Sequence, residues 1–114
     1  MASGVTALDQ GVIVRIPIRG DGTAAAIQTE VSGLSGGLDD FSVIGPEGTI
    51  VAALNMANQV VLVKPGAAPR VLLTAADGLS TPTSVRVHGD HLYVTSAAYF
   101  TSTDPNLLVA HINR

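Results

Sequence analysis

Two stretches of this chain repeat one another, and the spacing between them restricts the fold more than any other feature. The first runs Gly37-Leu38-Asp39-Asp40-Phe41-Ser42-Val43, turns at Gly45-Pro46-Glu47-Gly48, and continues Thr49-Ile50-Val51-Ala52-Ala53-Leu54-Asn55. The second runs Thr81-Pro82-Thr83-Ser84-Val85-Arg86-Val87, turns at His88-Gly89-Asp90, and continues His91-Leu92-Tyr93-Val94-Thr95-Ser96. Each reads as two short β-rich runs about a tight turn, where Gly and Pro supply the backbone angles a turn needs. Asp39 falls on Thr83 at an offset of 44, Ile50 on Leu92 at 42, Gly33 on Gly78 at 45, and Asn58 near Asn106 at 48. A period in the low forties with four short strands per unit is the signature of a β-propeller blade.

The rest of the chain is placed from these two copies. β-Branched, turn-bounded runs predict strands at 11–18, 24–31, 40–44, 49–54, 58–65, 69–74, 84–88, 91–96 and 107–112. Segments 32–37 and 76–80 read as crossing loops, 97–106 as a longer polar loop, and the first ten residues as a loop or arm. Val60-Val61-Leu62-Val63 and Val71-Leu72-Leu73 do not alternate with polar residues, so both faces of those strands should be buried. A blade between two others is buried in that way, whereas a two-sheet sandwich would alternate more cleanly. The expected fold is all-β: an incomplete propeller of about nine strands. Residues 11–31 form the outer strands of one blade, 38–75 a complete blade, and 81–113 three strands of the next, together one partial domain over 1–114. A closed propeller needs at least four blades. The end faces should therefore be apolar and exposed, and the chain should belong to a longer propeller or associate with copies of itself.

Composition narrows the chemistry. Across 114 residues, apolar residues are 46% and charged residues 13%, enough to bury a core. A net charge of −3 opposes binding to polyphosphate, so no nucleic acid partner is expected. The chain has no cysteine, which excludes disulfides and a thiol nucleophile. The opening Met1-Ala2-Ser3-Gly4-Val5-Thr6 shows no signal peptide, and no apolar run is long enough to span a bilayer, so a cytoplasmic protein without a membrane partner is expected.

Together, residues 37–65 and the Thr81-Pro82-Thr83-Ser84-Val85…Leu92-Tyr93-Val94-Thr95 run resemble successive blades of the SMP-30/gluconolactonase/LRE-like six-bladed propellers, a likeness that covers 11–113. The resemblance implies a lactone-hydrolysing or related enzyme with a divalent metal (Ca, Zn or Mg) in a central channel. In that family an Asp in a Pro-Asp-Gly context, at the start of an inner strand, is a metal ligand. Asp39 stands at that position, although here it is flanked by Leu38 and Asp40. The family's remaining ligands, a Glu and Asn residues from earlier blades, have no counterpart in this chain.

Propeller topology puts the loops before each inner strand, and those joining second and third strands, on one face. Asp39, Asp40, Asn55, Asn58, Thr83, Ser84, Tyr99, Phe100 and Asp104 should therefore converge at a channel mouth, facing a small-molecule ligand. Carboxylate and amide oxygens suit a hard cation. Asp39 is the candidate metal ligand; Asp40, Asn55, Thr83, Tyr99 and Phe100 are candidate substrate contacts. Neighbours on a strand point to opposite faces, so only one of Asp39 and Asp40 should face the channel. The competing readings are that both carboxylates cap backbone N–H groups and that both aromatics pack their own loop down. His88-Gly89-Asp90-His91 reads as a solvated hairpin tip on the opposite face, and His111 as a solvent-facing position. Ser84 has no histidine placed to activate it. Metal-assisted hydrolysis of a lactone or small ester is the leading functional expectation. The alternatives are a metal-free enzyme or binding scaffold, like related propellers that guide pericyclic reactions in natural-product pathways, and a non-catalytic fragment.

Overall fold

A computed structural model describes residues 10–99 and 101–112. Nine strands build three antiparallel sheets in chain order, the blades of an incomplete propeller. The first sheet pairs β1 (Gln10–Arg15) with β2 (Gln28–Ser35). The second holds β3 (Leu38–Ile44), β4 (Thr49–Leu54), β5 (Gln59–Val63) and β6 (Arg70–Leu73) in sequential order. The third holds β7 (Pro82–His88), β8 (His91–Ser96) and β9 (Asn106–His111).

The continuous apolar runs have the cause inferred from them. All six residues of β4 are buried, and so are four of the five in β5. Their side chains alternate between two cores. Val51, Ala53, Val60 and Leu62 pack against Leu79, Val85, Leu92 and Val94 of the third sheet and the crossing that leads to it. Ile50, Ala52, Leu54, Val61 and Val63 pack against Ile13 and Leu34 of the first. Each fully buried Val or Leu contributes about 1.5–3 kcal/mol of transfer free energy, so these two seams dominate the stability. Leu34 and Leu79, matched by the repeat, each plug one seam.

Several boundaries differ from the sequence reading. The glycine-rich segment 32–37 is mostly strand, because β2 runs on to Ser35 with Leu34 opposite Gly11. Gly11 is needed there: a Cβ would lie 2.7 Å from Cβ of Leu38. The Ala24-Ala25-Ala26 run is not a strand; Ala24 makes a single bridge to Ile18, and the strand starts at Gln28. The 76–80 loop opens with a 3-10 turn, Ala75–Asp77, held by a reciprocal cap between Thr74 and Asp77. The expected arm over the first ten residues lies outside the described residues except for Gln10, which begins β1.

Strand pairing also corrects the repeat. Ile50 faces Val63 and Ala52 faces Val61, while Leu92 faces Ala110 and Val94 faces Leu108. Val61 therefore matches Leu108 and Val63 matches Ala110, an offset of 47 in the third strand. Aligning Asn58 with Asn106 slips the register by one residue, which would turn every side chain to the wrong face.

Candidate functional site

The site region is built on a bulge that the repeat reproduces. Between the pairs Leu38–Leu54 and Phe41–Ala52, β3 carries two residues, Asp39 and Asp40, against one on β4. Between Pro82–Ser96 and Ser84–Thr95, β7 likewise carries one extra residue, Thr83. A bulge adds a residue, kinks the strand and re-aims its side chains. Here it sends the two carboxylates apart. The exposed Asp39 accepts a hydrogen bond through Oδ2 from Asn55 Nδ2 at 3.2 Å. Asp40 is half-buried and turns to the next sheet, where Ser84 Oγ donates to its Oδ2 at 2.7 Å. The partners are side chains, so the strand-capping reading of these carboxylates does not describe their contacts.

The turn after β4 is seated on two glycines. Asn55 N–H donates to Gly37 O, and the N–H groups of Met56 and Ala57 both donate to Gly36 O, each at 2.9 Å. Gly37 has φ +79°, and a Cβ there would stand 2.6 Å from Asn55 Oδ1. Gly36 has φ +110°, and its Cβ would stand 2.4 Å from that of Ala57. Only glycine allows both the left-handed backbone and this approach, and the approach fixes Asn55 beside Asp39.

A chain of hydrogen bonds ties the β4–β5 turn to the crossing that leads to the third sheet. Asn58, at φ +58°, donates through Nδ2 to Leu79 O at 3.0 Å and accepts from Thr81 N–H at 2.9 Å. Thr81 O accepts from Ala97 N–H, and Ser80 O from Ala98 N–H. Asn58 thus clamps the crossing between two sheets. Thr83 is tied to Thr95, with 3.0 Å between their hydroxyl oxygens. Tyr99 is largely exposed and does not pack its loop down. Phe100 lies outside the described residues. Of the residues expected at the mouth, Asp39 touches Asn55 and Asp40 touches Ser84.

The second polar cluster is at the other hairpin end. Asp90 Oδ2 lies 2.9 Å from His111 Nε2, and Asp90 Oδ1 lies 3.0 Å from His91 Nδ1. The two imidazoles meet edge to face at 6.1 Å between centroids. The hydrogen bond from His111, helped by the nearby imidazole charges, holds the Asp90 carboxyl below its ordinary value. This link was missed from sequence because His111 is 21 residues from Asp90; the pairing of His91 with His111 across β8 and β9 creates it. All three side chains are exposed, as a solvated tip requires.

Among the described residues no group of three or more His, Asp or Glu is arranged to hold a metal ion. Asn55 presents its amide nitrogen to Asp39, and its Oδ1 lies toward Gly37. No described helix is long and apolar enough to cross a membrane. No family model, curated protein or solved structure matches the chain.

Proposed function

We propose that this chain is a segment of an SMP-30/gluconolactonase-like propeller that hydrolyses a lactone or similar small ester, and that Asp39, positioned by Asn55, is its contribution to a cation at the channel mouth. The supporting observation is the pairing of an exposed carboxylate with a side-chain amide at a bulge that begins an inner strand. Hard oxygen donors favour Ca or Mg over Zn, and the histidines that Zn would prefer lie with Asp90 in the β7–β8 turn cluster. Further ligands would come from sheets beyond the nine strands described. A bound cation would supply Lewis-acid polarisation of the ester carbonyl. The chain's own part is to orient Asp39: the Asn55 amide hydrogen bond restricts its rotamer, and the Gly36–Gly37 seat fixes Asn55. The same ring without metal would be a binding scaffold, and fold alone does not choose between them.

Isothermal calorimetry with Ca and Mg chloride tests this reading. The expected result is binding with Kd on the order of 10⁻⁴–10⁻³ M, the range of weak oxygen-ligand modules, and at least about tenfold loss in Asp39→Ala, a cost of about 1.4 kcal/mol. Glu47→Ala, in the turn at the far end of the same hairpin, should leave binding unchanged. Absence of cation heat, or equal binding by Asp39→Ala, overturns the reading.

A further inference from the structure

The repeat provides an internal control for each exposed apolar residue. On the second sheet, Val51, Val60 and Leu62 face the third sheet and are 0%, 0% and 2% exposed. Strand pairing matches these positions to Tyr93, Leu107 and Val109 of the third sheet. Those three are 36%, 62% and 56% exposed. The same apolar positions are occupied, and among the described residues no following sheet covers them. The opposite end is similar: Ile13 is buried against the second sheet, while Val12 and Val14 on either side of it face outward and are about half exposed. The repeat thus identifies the surface that fits each end, a β-sheet of this same kind.

We propose that copies of this chain associate head to tail, the outward face of the third sheet of one copy packing on the outward face of the first sheet of another. Such a joint continues an interface the molecule already makes twice, between its first and second and its second and third sheets. One chain carries both halves of the joint. Tyr93, Thr95, Leu107 and Val109 form the apolar part of one face, with Arg86 beside Tyr93 and the His91–His111 pair at one end, and Val12, Val14 and Thr29 line the other. Head-to-tail contacts are heterologous, so they close into a ring when the rotation per copy permits and otherwise grow. The proposal does not depend on the cation site.

Sedimentation velocity over a concentration series tests it, with Val109→Asp on one face and Val14→Asp on the other. Both positions are about half exposed, so circular dichroism should show both variants folded; Leu107→Lys serves as a second variant of the third-sheet face. The wild-type chain should assemble as concentration rises. Each variant alone should stay monomeric, with self-association weakened more than about a hundredfold by a buried, unpaired charge. An equimolar mixture of Val109→Asp and Val14→Asp should give a two-chain species, because one intact face remains on each. A wild-type chain that is monomeric at every concentration overturns the proposal. So does a Val14→Asp chain that still self-associates, since that marks third-sheet faces packing on each other.

Discussion

Replacing Leu62 with Ala tests the claim that the second sheet is buried on both faces. Leu62 is 2% exposed and projects into the seam shared with Val85, Leu92 and Val94. Three carbons leave, worth about 0.8 kcal/mol each in transfer free energy, and the residual cavity raises the cost to about 3 kcal/mol. For a domain of this length the unfolding entropy is about 0.24 kcal/mol/K, so the melting temperature should fall by about 12 °C. Val109 occupies the matching position one sheet on, but is 56% exposed. Val109→Ala removes two carbons, each less than half buried, and should cost about 0.7 kcal/mol, or about 3 °C. Guanidinium denaturation and thermal melts on dilute protein measure both. Equal losses for the two substitutions, or a Leu62→Ala cost under about 1 kcal/mol, would refute the stacked-sheet reasoning.

Two further outcomes follow from the polar contacts. Asp90 is held below its ordinary carboxyl value by His111, so its folded value lies under its unfolded one. Its contribution is then present in full above the unfolded value and is lost as pH falls through the folded one. Asp90→Asn should therefore melt below the wild type at neutral pH and coincide with it near about pH 2; a gap that persists in acid contradicts this. Asn58→Ala should cost about 2–3 kcal/mol by chemical denaturation, because it leaves Leu79 O and Thr81 N–H unpaired. A change under about 0.5 kcal/mol would show that the crossing does not need this clamp.

What was legible in the sequence was whatever burial had written into residue type. The run Val60–Val63 has no polar member because both of its faces meet a sheet, and that property supported the place the repeat gave to the middle blade. The bulged start of β3 was legible as a pair of acidic residues matched to Thr83-Ser84, and its partner Asn55 as the polar exit of β4. Contacts decided by register were less legible. Asn58 and Asn106 look equivalent, yet hydrogen bonding sets the third strand one residue off that alignment. The Asp40–Ser84 bond joins matched positions of successive sheets, and no local pattern announces it. Gly33, at φ +73°, reads as a loop residue but sits inside β2, beside the irregular pairing of Gly11 and Ile13.

Amide hydrogen exchange, followed strand by strand at low and high protein concentration, tests the continuous stack most directly. In dilute solution β4 and β5, covered on both faces, should exchange slowest, and β1 and β9 faster. At high concentration protection should rise in β1 and in β8–β9, and stay unchanged in β4 and β5. Uniform protection across all nine strands, with no dependence on concentration, would contradict the account.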